Sequence, residues 1–261
     1  MSGLGAALAT EWLKARRSRV PWLVLAGFML VPLVVGLFMV ILKDPDGARR
    51  LGLLGEKARL SAGTADWPTM LSMLSQALAI GGAILFAFLT SWVFGREFAD
   101  RTLRGLLAIP TSRGAIVVAK TVVVGVWGVV IAVCVVAFGF LVGLIVGLPG
   151  WDEGLAASAV RNMAGAALLT LVLQPVTGLV ASIGRGYIAG LAWAVLAIAI
   201  AQVLSVLGLG AAFPWAVPGL VSSATGTDVA TPPASIALVL LVGATGLGLA
   251  VAWWRRADHT G

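Results

Sequence analysis

Titratable chemistry is what this sequence has least of. Only 11% of its 261 residues are Asp, Glu, Lys or Arg, and there is one histidine and one cysteine. A lone Cys134 excludes an intrachain disulfide. The lone His259 lies outside every apolar run, which excludes both the paired histidines of a zinc hydrolase and the Ser–His pair of an intramembrane protease. No Gly-rich loop ending in Lys and Ser or Thr occurs, so the chain is not itself a P-loop ATPase. Soluble domains carry roughly 25% charge; a soluble monomer is excluded.

Apolar length takes the place of charge. The chain is 60% hydrophobic with mean hydropathy +1.03, and six stretches contain no Asp, Glu, Lys, Arg or His: 20–42, 70–94, 121–147, 163–183, 187–209 and 235–254. About 18 such residues suffice to cross a bilayer as a helix, whereas transmembrane barrels show alternating segments of about 10 residues. The expected fold is therefore all-α, one polytopic domain over residues 1–261 with six transmembrane helices. Lys14, Arg16, Arg17 and Arg19 precede the first run as in a signal peptide, but the run is too long and no small-residue cleavage site follows. An uncleaved first span is expected.

Six spans place both termini on one side. Assigning that side to the cytoplasm puts 12 basic residues inside and 6 outside, in the direction of the positive-inside rule. The first span is locally ambiguous, because its outer loop holds Lys43, Arg49, Arg50, Lys57 and Arg59; the later loops decide. This topology puts Arg185 inside and Asp46, Arg59 and Asp228 outside. Trp22, Trp92, Trp127, Trp193, Trp253 and Trp254 would form the inner aromatic belt, and Trp67, Trp151 and Trp215 the outer one.

Before the first span, Leu4, Leu8, Trp12 and Ala15 share one helical face, which predicts an amphipathic helix in the cytoplasmic interface. Glu11 falls inside that apolar arc. A short outer helix is expected around residues 48–60. The segment 210–234 carries Pro214, Pro218, Pro232 and Pro233 with the single charge Asp228, which suits re-entrant or interfacial pieces.

With no ionisable group inside the spans, a proton relay has nothing to run on; active transport would draw its energy from another subunit. The spans do carry neutral polar residues. Gln76, Gln174, Thr177 and Gln202 are candidates for a weakly polar substrate path, and Gln174 leads them because Pro175 follows and loosens the helix. Interhelical hydrogen bonding is the plainer reading of the same residues. Gly139, Gly143 and Gly147 form a GxxxGxxxG run that permits close helix approach.

The densest charge on the inner side is the turn 95–120, GREFADRTLRGLLAIPTSRGAIVVAK. Glu97 with Arg101, and Asp100 with Arg104, are i,i+4 pairs in the favourable acid-first order. Pro110 ends that helix and Ser112 can cap the next. The product is a hairpin carried on the second and third spans, suited to docking a soluble partner through Glu97, Asp100, Arg101, Thr102, Leu103 and Arg104.

This turn, with Arg96 to Leu103, then LLAIPTSR over residues 106–113, then Lys120, resembles the loop between spans two and three of type-2 ATP-binding-cassette export permeases. The basic leader with Glu11, Trp12 and Lys14, the Pro-rich outer segment and the Trp-Trp-Arg ending match that family along the whole chain, closest to its bacitracin-type and drug-exporter members in bacteria. The resemblance implies a non-enzymatic permease of the bacterial cytoplasmic membrane. It implies pairing with a second permease copy and with two cytoplasmic ATPase subunits, which use the ATP and Mg while this chain binds no cofactor. Its cargo would be hydrophobic or amphipathic, and the turn 95–120 would be the coupling helix. Membrane lipids are the other expected contact, and no nucleic acid is. The alternative is a non-transporting membrane sensor or immunity protein that binds a peptide or lipid at its outer loops.

Overall fold

A computed structural model describes residues 3–44, 47, 64–102, 105, 111–222 and 231–256. Its helices are α1 Gly3–Arg17, α2 Val20–Lys43, α3 Trp67–Ala99, α4 Arg113–Val146, α5 Glu153–Ile183, α6 Tyr187–Val206, α7 Val217–Val221 and α8 Pro233–Arg256, with no strand among the described residues. The six helices α2 to α6 and α8 are long and apolar enough to cross a membrane. The chain is a multi-pass membrane protein.

Local chemistry sets where these helices start. Pro21 sits in the first turn of α2, where its missing N–H leaves nothing unpaired. Asp66 caps α3 by accepting from Thr69 N at 2.9 Å, and Asp152 caps α5 by accepting from Leu155 N. Ser112 caps α4 as expected, accepting from Ala115 N at 3.2 Å. Each of these oxygens satisfies one of the N–H groups that a helix start leaves without an internal partner.

The chain alternates between two ends of the bundle. One, the terminal end, holds α1, the turn after α3, the turn after α5 and the last residues of α8. At the far end Lys43 donates to the carbonyls of Val146 and Gly147, and Trp67 packs its ring on Phe140 and Trp151. Helix α3 runs through the middle of the bundle with Leu74, Leu78, Phe86 and Leu89 buried. The glycines of α4 serve this contact: a Cβ at Gly139 would meet Leu74, and one at Gly143 would meet Trp67. The GxxxG run is thus spent on packing within the chain.

Three expectations need correction. The span helices overrun their charge-free stretches, so Arg96, Glu97 and Lys120 lie inside α3, which ends at Ala99, and α4, which begins at Arg113. Trp215 is not in an outer belt: after α6 the chain folds back, and its ring lies 5.2 Å from Trp193, a residue expected near the opposite membrane face. Val217 of α7 is fully buried in a cluster with Leu169, Leu173 and Val239, so residues 210–222 of the Pro-rich segment fold back among the spans. Trp67, Trp127 and Trp254 are buried core residues rather than belt residues. The expected outer helix around residues 48–60, and Asp46, Arg59 and Asp228, lie outside the described residues.

Candidate functional site

At the terminal end, α1 crosses the ends of α3 and α4 and buries Ala7, Glu11 and Ala15, which are spaced by one turn. Glu11 is the centre of the contact. Its carboxylate meets Lys14 Nζ at 2.8 Å, Arg96 Nη2 at 2.9 Å and Lys120 Nζ at 3.1 Å. Glu97 completes the cluster, with Oε1 at 2.8 Å from Lys120 and 3.3 Å from both Lys14 and Arg96. Lys120 is 0% exposed. Its ammonium spends all three N–H donors, on Glu11, Glu97 and the Val93 carbonyl. Arg96 also lies over the Trp92 ring at 4.6 Å, a cation–π contact.

Burial alone would push the Glu11 carboxyl up, but the ammonium groups of Lys120 and Lys14 outweigh it and hold Glu11 below the ordinary carboxylate range. The site holds three cations against two carboxylates, and Glu97 Oε2 is buried with no hydrogen-bond partner. A dense ion cluster of this kind fixes one arrangement of three helices. A shift of α3 or α4 must carry α1 with it or break short ion pairs.

The sequence named Glu97 but not its partners. Glu97 is buried, and the expected exposed i,i+4 pair with Arg101 does not form, because α3 ends at Ala99. Thr102 N bonds to Glu97 O and Arg101 N to Phe98 O, which closes the helix in a Schellman motif. Arg101 takes the left-handed position at φ 55°. Asp100, Arg101 and Thr102 are exposed at the turn; Leu103 and Arg104 lie outside the described residues. Glu11, Lys14, Arg96 and Lys120 stand in the sequence as marks of the family resemblance, and pattern reading missed that they gather with Glu97. The available signals were a carboxylate inside an apolar arc and a lone lysine at the mouth of an apolar run.

The path candidates separate. Gln174 is buried between helices, with its Oε1 3.1 Å from the Thr90 hydroxyl and its amide donating to Thr170 O at 3.0 Å. Gln76 is exposed and reaches Ser72 one turn back. Gln202 lines a cavity of about 290 Å³ together with Ala79, Ser205 and Trp215. Gln174 and Thr177 line a smaller neighbour that shares Ala79, Ala83, Ile198 and Trp215 with it. Three of the four therefore gather where the re-entrant segment meets α3, α5 and α6.

Comparison with known proteins adds two findings. The family model described as ABC-2 family transporter protein matches residues 7–208. The bacitracin transport permease protein BCRB of Bacillus licheniformis is 26% identical over 182 residues, which cover 68% of this chain and 85% of that protein.

Proposed function

The chain belongs to the ABC-2 family of transporter proteins, and we propose that, within that family, it is the membrane subunit of an ATP-driven exporter for hydrophobic or amphipathic cargo. Two copies enclose the path and two cytoplasmic ATPase subunits drive it. The terminal end faces the cytoplasm of a bacterial inner membrane, in line with the positive-inside tally. The similarity to a bacitracin transport permease supports an amphipathic cargo.

The observation that carries this reading is the cluster of Glu11, Glu97, Lys14, Arg96 and Lys120. It joins α1, α3 and α4 immediately beside the exposed turn after α3. Force applied at Asp100, Arg101 and Thr102 enters a rigid three-helix unit and moves α3. Along α3 lie Gln76 and the wall of the cavity that Gln202 lines. Gln174 and Thr177 would complete the weakly polar path.

The test is co-expression with a candidate cassette ATPase and purification of the complex. An assembly of two and two is expected, with ATP hydrolysis that rises on adding cargo. Arg101→Glu at the exposed turn should abolish export at normal membrane level and weaken ATPase retention. Full export in that variant removes the turn from the coupling route. Glu97→Lys is the poorer probe, because it places a fourth cation in the buried cluster and disturbs the fold as well.

A further inference from the structure

The terminal end carries a second constellation, on the outer flank of α1, that the ion cluster does not use. Only Ser18 and Arg19 separate α1 from α2, and the elbow is pinned by Trp22 Nε1 donating to Arg16 O and by Val20 N donating to Ser18 Oγ, both at 3.2 Å. Trp127 of α4 stands between two further indoles, 6.1 Å from Trp12 and 5.1 Å from Trp22. Trp127 is 5% exposed and its Nε1 is buried without a partner, whereas Trp12 and Trp22 are 40% and 50% exposed.

Arg16, one turn on from Trp12 and bonded through its carbonyl to Trp22, is exposed on this elbow, as are Arg17 and Arg19. Among the described residues no carboxylate lies within ion-pair distance of any of them, because Glu11, the one acidic residue of α1, is turned into the bundle. Leu23, which follows Trp22 on α2, and Val126, which precedes Trp127 on α4, are exposed aliphatic residues of the same helices. Guanidinium, indole and aliphatic side chains are thus all offered at the start of α2.

We infer that this elbow is a binding site for an acidic phospholipid. The guanidinium groups take the phosphate, in the forked geometry that Arg offers to oxyanions. The half-exposed indoles lie along the glycerol and ester region, where amphipathic rings are favoured. The acyl chains lie on Leu23 and Val126. Free phosphate would leave the indole and aliphatic surfaces uncovered, and a zwitterionic lipid would leave the cationic charge uncompensated. The same helix that holds the lipid places Glu11 in the ion cluster. The inference goes beyond the transport reading and stands whether or not the chain moves cargo.

Its test needs the purified chain alone. Native mass spectrometry of the permease in detergent micelles, with phosphatidylglycerol and phosphatidylcholine of identical acyl chains in competition, should show phosphatidylglycerol retained about tenfold or more in preference. A basic residue near an anionic surface is worth about fivefold, so Arg16→Gln with Arg19→Gln should erase most of that preference. The pair Arg255→Gln with Arg256→Gln, basic residues of the same end but carried on α8, should keep it. On the unaltered chain the preference should collapse as salt rises from about 0.1 to 1 M, and millimolar inorganic phosphate should displace nothing. Equal retention of the two lipids by the unaltered chain overturns the site. So does an unchanged preference in the Arg16 and Arg19 variant, or an equal loss in the Arg255 and Arg256 variant.

Discussion

The two ends of the bundle solve the same problem, stopping a membrane helix, with different residues. At the far end α4 and α6 close through Gly147 at φ 66° and Gly208 at φ 75°. At the terminal end α3 and α5 close through the same hydrogen-bond pattern, but the left-handed positions belong to Arg101 at φ 55° and Arg185 at φ 52°. Glycine takes that conformation freely and arginine does not. The terminal end also buries an ion cluster, whereas the far end packs Trp67, Phe140 and Trp151 on one another. Costly devices thus collect at one end and economical ones at the other. That is the distribution expected when one end works against a partner and the other only holds the helices together.

The largest effect should follow from removing the hub of the cluster. Lys120→Met removes the one fully buried cation, which touches both carboxylates, and leaves Glu11 and Glu97 to Lys14 and Arg96 at the edge of the cluster; breaking a buried ion pair costs about 3 to 5 kcal/mol. Thermal unfolding in micelles should show a loss of that order. A cost under about 1 kcal/mol for Lys120→Met would mean the cluster is solvated and the contrast between the ends is lost. Acid sharpens the same point. Glu11 has its pKa lowered from an ordinary 4.5, so its contribution is complete above that value and disappears as pH falls through the folded one. The stability gap between the native chain and Glu11→Gln should therefore narrow as pH drops below about 4.5.

An intermediate effect is expected from exchanging the helix stops. Gly147→Arg gives the far end the strained stop of the terminal end, and a side chain in the left-handed region costs roughly 1 to 2 kcal/mol. Room is not the issue, since the nearest atom to a new Cβ there is Lys43 Nζ at 3.7 Å. A neutral outcome in thermal unfolding would show that conformational strain does not distinguish the two ends.

Much of this architecture is legible in the sequence. Six charge-free runs gave six spans, because burying a bare charge in lipid is prohibitive. The ends of those spans were misjudged for the same reason turned around: Arg96, Glu97 and Lys120 continue their helices because they neutralise one another, and pairing removes the penalty on which the boundary rule rests. Glu11 was visible as a flaw in the apolar arc of α1, yet its partner Lys120 is 109 residues away, beyond the reach of any local periodicity. The Pro-rich segment announced a re-entrant piece. Its depth was hidden, because an aromatic next to an apolar run reads as a belt residue and Trp215 instead fills space between α5 and α6. The neutral glutamines stand out in charge-free spans, but whether such a side chain bridges helices, as Gln174 does, or faces a cavity, as Gln202 does, depends on which way the helix is turned.

The smallest effect is the reverse exchange. In Arg185→Gly the left-handed strain of the α5 stop is released, while the added freedom of glycine in the unfolded chain takes back about 0.5 to 1 kcal/mol of that gain. The net should be a stabilisation of a few tenths to about 1 kcal/mol, visible as a small rise in unfolding temperature in micelles. The space around the turn favours this outcome, because Arg185 is exposed and the tight contact lies at its neighbours: a Cβ at Gly95 would sit 2.7 Å from the backbone of Gly186 and Tyr187. Removing the side chain at 185 leaves that contact untouched. A stabilised Arg185→Gly would mean that the terminal end keeps arginine there at the expense of stability. A destabilised one would mean that the guanidinium contributes more to the α5 terminus than its backbone costs, and the contrast between the two ends would then reduce to the ion cluster alone.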